Sequence, residues 1–86
     1  MPMKIIIRDS DTGDEVDLEL EPENTISEII ETVAGFWNKP AGAYVLKFKT
    51  ILLEGQRPLS YYQNPGTFGL KEGDMLELIP DPEGGC

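Results

Sequence analysis

The strongest constraint on the fold is a change of hydrophobic period part-way along the N-terminal half of the chain. Val16, Leu18 and Leu20 alternate with Glu15, Asp17, Glu19 and Glu21, the period-two pattern of a half-buried strand, whose successive side chains leave opposite faces of a sheet. Pro22-Glu23-Asn24 breaks that run. Beyond it Ile26, Ile29, Ile30, Val33 and Trp37 recur at helical spacing and form one apolar stripe. Thr25 with Glu28 is the capping-box signature of a helix start, and Asn38-Lys39-Pro40 ends the helix because proline disfavours helical backbone in the residue before it. A strand feeding a one-faced helix must bury that face against a sheet.

The rest of the chain supplies the sheet. Residues 3–8 are rich in β-branched side chains and read as a first strand, joined to the alternating one by the turn-forming run from Asp9 to Asp14. Residues 44–49 alternate with Tyr44, Leu46 and Phe48 on one face, 51–53 make a short strand, and 75–79 the last one. Between them, 59–69 reads as a loop-rich stretch carrying Tyr61, Tyr62 and Phe68. Asp9, Asp11, Asp14 and Glu15 do not match the spacing of a calcium loop and are expected to form a solvated turn. From Pro80 onward no periodicity remains, so 80–86 is expected to be a mobile tail on a single domain of residues 1–79. The expected class is α+β: a mixed sheet of four to five strands packed on one helix.

Composition narrows the function. Eighty-six residues bury only about 60 to 65 per cent of the unfolded surface, enough for one sheet and one helix but little for an enclosed catalytic pocket. The chain has no histidine and one cysteine, Cys86, which argues against an internal disulfide, a zinc site and histidine-based catalysis; no cofactor or metal is expected, and the chain is not expected to be an enzyme. A formal net charge of -9 repels nucleic acids and anionic membranes, which points to protein partners. The longest apolar run, Ile5 to Ile7, is too short to span a bilayer, and a cytoplasmic location is the default expectation.

In this order the segments resemble ubiquitin. Met3-Lys4-Ile5-Ile6-Ile7 resembles its first strand, Leu18-Glu19-Leu20-Glu21-Pro22 its second, and Asn24-Thr25-Ile26 its helix start. Leu53, Leu59-Ser60-Tyr61-Tyr62 and Met75-Leu76-Glu77-Leu78-Ile79 stand where ubiquitin has its fourth strand, a Leu-Ser-Asp-Tyr turn and its last strand, and the spacing from there to Gly84-Gly85 also matches. The resemblance implies a ubiquitin-like β-grasp domain whose Gly85 carboxylate is adenylated by an activating enzyme, passed to a conjugating enzyme as a thioester and joined to an amine on a target protein. Two glycines without side chains suit a tail that threads a narrow channel, and six nearly extended residues from Pro80 reach roughly 20 Å.

Departures from ubiquitin qualify this. Cys86 follows the second glycine, so the Gly85-Cys86 bond is expected to be cut by a processing protease, unless the cysteine is an added one. Asp81 and Glu83 stand where ubiquitin has a basic run, and are expected to be read by the activating enzyme. Lys47 and Glu77 occupy the centre of the surface ubiquitin offers to receptors, with Ile79 still apolar there. Residues 63–68 look inserted, their aromatics either capping the core or forming an exposed patch. An acidic relative with a residue beyond Gly-Gly resembles bacterial ubiquitin-like modifiers found in conjugation systems linked to antiphage defence. Two other readings stay open: a Gly-Gly sulfur carrier that uses a thiocarboxylate, and a β-grasp assembly module that never uses its tail. Self-association is also left open.

Overall fold

The computed structural model describes residues 2–82. Five strands form one sheet in the order β2-β1-β5-β3-β4: β1 (Met3–Asp9), β2 (Glu15–Leu20), β3 (Tyr44–Phe48), β4 (Ile51–Leu52) and β5 (Met75–Pro80). The sheet is mixed, because β1 and β5 run parallel at its centre while the other pairs are antiparallel. Helix α1 (Ile26–Phe36) connects β2 to β3 and covers one face.

The local signals for α1 act as expected. Thr25 Oγ1 accepts the Glu28 amide, and Glu28 Oε1 accepts the Thr25 amide in return. At the other end Asn38 takes a left-handed backbone, φ 57°. The Asn38 amide bonds the Gly35 carbonyl and the Lys39 amide bonds that of Ala34, a Schellman ending that leaves Lys39 just beyond the helix.

Ile26, Ile29, Ile30 and Val33 of α1 pack with Met3, Ile5, Ile7, Leu46, Leu76 and Leu78 of the sheet. Leu18, on the apolar side of the alternating strand, is only half-buried against that core, because β2 is an edge strand and, among the described residues, no further strand pairs with it. Gly55 lies so close to the helix start that a Cβ there would stand 2.6 Å from Ser27 Oγ; its carbonyl accepts the Ser27 amide.

Three expectations need correction. The stretch 59–69 opens with a short helix, α2 (Leu59–Gln63), which buries Leu59 and Tyr62. Asp9 belongs to no solvated turn: it closes β1 at 1% exposure, where one carboxylate oxygen accepts the Asp11 amide and the other faces Lys39 Nζ at 3.1 Å. The last strand runs to Pro80 rather than Ile79, and the Asp81 amide still donates to the Ala43 carbonyl, so hydrogen bonding to the domain continues past residue 79.

The inserted segment resolves in favour of a core cap. Phe68 is half-buried, stacked on Tyr62 at 5.0 Å and beside Phe48 at 5.5 Å between ring centres. Asn64 organises the loop by accepting the amides of Thr67, Phe68 and Gly69 on its carbonyl.

Candidate functional site

The sheet face turned away from α1 carries one row of residues that crosses every strand. Cross-strand register places Glu15 beside Arg8, Arg8 beside Glu77, Glu77 beside Lys47 and Lys47 beside Leu52. Directly opposed residues share a face, so the row alternates in sign from β2 to β3 and ends on an aliphatic side chain. Glu77 sits at its centre, with one oxygen 3.3 Å from Arg8 and the other 3.4 Å from Lys47.

Two residues to either side the face turns apolar. Ile6 and Met75 are neighbours on one side of the row, Val45 and Ile79 on the other. Met75 and Leu52 are about two-fifths exposed, at 40% and 43%, while Ile6, Val45 and Ile79 are half-buried. The sequence reading kept only Ile79 as apolar here. The alternation Met75, Glu77, Ile79 along β5 was the available signal for the rest, but it shows its neighbours only once strand order is known.

Below this face lies the base of the C-terminal segment. Pro80 pairs in register with Tyr44, and Asp81, half-buried, is held through its amide by Ala43. Ala43 ends a 3₁₀ turn, Ala41–Ala43, that follows Pro40. Of the residues singled out from the sequence, the structure brings Lys47, Glu77 and Ile79 together on one face and sets Asp81 at its margin. Glu83, Gly84, Gly85 and Cys86 lie outside the described residues.

A second cluster was not foreseen. The Schellman ending of α1 carries Lys39 over the β1–β2 turn, where its ammonium bonds Asp11 Oδ2 at 2.8 Å and lies 5.0 Å from the Tyr44 ring centre; the Tyr44 hydroxyl also donates to Asp11. The Asp11 hydrogen bond, more than the contact with Asp9, raises the Lys39 pKa well above its usual range, and the same bond lowers that of Asp11. This cluster clamps turn, helix end and β3 together. Among the described residues, no group of three or more His, Cys, Asp or Glu side chains is placed to hold a metal ion, and no helix is long and apolar enough to cross a membrane.

Solved structures share this architecture over essentially the whole chain. The ubiquitin-like domain of Plasmodium falciparum Dsk2 superposes with a TM-score of 0.78 at 21% identity, covering 94% of this chain and all of that one. Ubiquitin of Caldiarchaeum subterraneum gives 0.77 at 26% identity, covering 99% of this chain and 100% of its own. A de novo design based on ubiquitin gives 0.78 at 22% identity, with 99% and 95% covered. The chain has the ubiquitin-like β-grasp fold. No protein-family model and no curated protein sequence matches it, in keeping with identities this low beside so close a fold.

In this ubiquitin-like domain the charge row cuts the apolar surface of the sheet into two strips. Both strips are narrow, and the ion pairs between them are only partly exposed: the Glu77 side chain is 28% exposed and Lys47 32%. A receptor that presents a purely apolar surface would have to strip water from these charges without offering them partners, which is unfavourable.

Proposed function

We propose that this ubiquitin-like domain is a protein modifier, activated at the Gly85 carboxylate after removal of Cys86. The observation that carries the reading is where the described chain leaves the sheet, at Pro80 and Asp81. The central strand β5 leads out of the sheet at Pro80 and is tied down at Asp81, and the sequence reaches Gly84-Gly85 within four residues of that anchor. A fully extended run of four residues spans at most about 14 Å, shorter than the sequence reading allowed, so an activating enzyme must bring its site close to the 3₁₀ turn at Ala41–Ala43.

The chemistry needs no catalytic group from this chain. Hydrolysis of the Gly85-Cys86 bond frees the carboxylate, and a carboxylate oxygen attacks the α-phosphorus of ATP and expels pyrophosphate. A thiolate of the partner enzyme then displaces AMP, and a target amine displaces the thiolate. In this reading 1–79 with its hydrogen-bonded extension is the recognised body and the residues beyond it the donor, within a cytoplasmic, bacterial-type conjugation system. The charge row through Lys47 and Glu77, with Ile79 in the narrow apolar strip beside it, makes this face unsuited to ubiquitin's apolar receptors, and Asp81 with Glu83 selects an activating enzyme that has a basic channel.

Intact-mass analysis of the protein purified from its native cell tests this. Loss of Cys86 and a mass increment equal to an amine-linked target supports it. A terminal thiocarboxylate would indicate a sulfur carrier instead, and a full-length chain with Cys86 retained in every species would overturn it. Reversing charge at Asp81→Lys with Glu83→Arg should lower kcat/KM for activation roughly ten- to a hundredfold if one charge-assisted contact is lost.

A further inference from the structure

The start of β3 lies outside the ladder that closes its edge of the sheet. β4 pairs only Lys47 with Leu52 and Phe48 with Ile51, and the Leu53 amide adds one bond to the Leu46 carbonyl. Ahead of that bond, among the described residues, no strand pairs with Tyr44 and Val45 on this side. Backbone groups in an antiparallel strand turn alternately to one side and the other, so Tyr44 turns its carbonyl the same way as Leu46, while its amide closes the 3₁₀ turn on the Ala41 carbonyl. Beside this gap a groove of about 280 Å³ lies between α1 and β3. We infer that the groove takes a lysine side chain from an extended segment of a protein partner.

The lining selects the occupant. Ile30, Ala41 and Leu53 give the groove apolar walls, which suit the aliphatic stem of a long cationic side chain. Glu31 is the one charged residue among those that line it, and among the described residues it is in no ion pair. Ser27 also lines the groove and stands four residues before Glu31 on α1, so the hydroxyl and the carboxylate share one side of the helix. An ammonium only donates hydrogen bonds, and its three rotatable donors fit such a pair of acceptors. A carboxylate occupant would meet Glu31 with like charge, and an apolar one would leave it unpaired. The volume falls below the roughly 300 to 1,000 Å³ of small-molecule sites, room for a side chain rather than a cofactor. The Tyr44 carbonyl at the gap accepts a backbone N–H beside that side chain, which makes a peptide the better source of the ammonium than a free amine. A second copy of this chain is a poor occupant at a net charge of -9. The inference is independent of the tail: a chain lacking Gly84, Gly85 and Cys86 would keep the groove.

The test uses the full chain and a short synthetic peptide of threonine and serine with one central lysine. Versions with norleucine or glutamate in place of the lysine, and butylamine alone, are the comparisons. The expected result is saturable binding of the lysine peptide, weakened by salt, with amide shifts concentrated at Ile30, Glu31, Tyr44 and Gly55. Butylamine should bind about tenfold more weakly or worse, and Glu31→Gln should weaken peptide binding by about tenfold. Gly42, at the rim of the groove, has open space where a Cβ would stand, so Gly42→Leu should obstruct entry while circular dichroism stays unchanged. If that variant unfolds, Glu31→Gln and the shifts on the unaltered chain decide. Equal binding of the norleucine peptide, the glutamate peptide or butylamine would overturn the inference, as would unchanged affinity in Glu31→Gln, self-association through the same residues, or shifts confined to the outer face around Glu77.

Discussion

Replacing Ile30 by alanine tests the fold and the groove geometry together. Ile30 is 7% exposed on α1, whereas Ile5 at the centre of the sheet is fully buried. The substitution removes three carbons, worth about 2.4 kcal/mol at about 0.8 kcal/mol each. A closed cavity adds about 24 cal/mol per Å³ of void, which lifts such changes toward 5 kcal/mol. At Ile30 the second contribution is small, because the side chain lines a surface groove of about 280 Å³ with Ala41, Tyr44 and Leu53, and water can enter the space left behind. We expect Ile30→Ala to cost about 2 to 3 kcal/mol and to lower the melting temperature by roughly 10 to 20 °C. Ile5→Ala should cost about 4 to 5 kcal/mol, a large part of the roughly 4 to 13 kcal/mol that a domain of this size possesses. Urea melts of both variants, read at constant m-value, are the assay. A cost below roughly 0.5 kcal/mol for Ile30→Ala would remove that residue from the core, and equal costs at the two sites would refute the solvent-filled groove.

Three further outcomes are expected. The depressed pKa of Asp11 contributes stability that is present above its usual value of 3.8 and lost as pH falls below it, while the raised pKa of Lys39 contributes stability complete below 10.5 and lost above. The thermal advantage of the native chain over Lys39→Met should therefore shrink below pH 4, and a difference that stays constant from pH 7 to pH 2 would contradict the clamp. Double-mutant cycles between Glu77 and Arg8 or Lys47 should give couplings of about 1 kcal/mol or less, falling with salt; couplings above about 2 kcal/mol would mean that these pairs behave as buried ones. Phe68→Ala should cost about 2 kcal/mol in denaturant melts through lost stacking on Tyr62 and Phe48, whereas no change would return the inserted segment to the surface.

Much of this fold was legible because its signals are local. The capping box at Thr25 and Glu28, the stripe from Ile26 to Trp37 and the alternation in β2 each state their own secondary structure. What remained hidden depends on partners far away in sequence. Helix α2 is too short to display a period, and its helical turn buries Leu59 and Tyr62 under a loop whose position no local rule gives. Asp9 reads as a turn residue beside Ser10 and Asp11; only the helix ending at Lys39 supplies the cation that makes its burial tolerable. For the candidate site, Lys47 and Glu77 were recognisable as polar substitutions, but the row from Glu15 to Leu52 needs the strand order β2-β1-β5-β3-β4. Gly84-Gly85, read from the sequence as the end of a donor tail, lies beyond the described residues.

The charge row also bears on where partners can bind. On the outer face of the sheet Glu77 already pairs with the two cations that flank it. An incoming partner must either break these pairs or straddle them with apolar contacts on Ile6 and Met75 on one side and on Val45 and Ile79 on the other. The groove between α1 and β3 imposes no such cost, since Glu31 has no ion pair among the described residues to surrender. The two surfaces should therefore differ under one perturbation. Glu77→Leu, which joins the apolar strips, should raise the affinity of the outer face for apolar ligands and leave binding of a lysine peptide at Glu31 unchanged. Equal gains at both surfaces, read by amide shifts in a titration, would mean that the face and the groove act as one site.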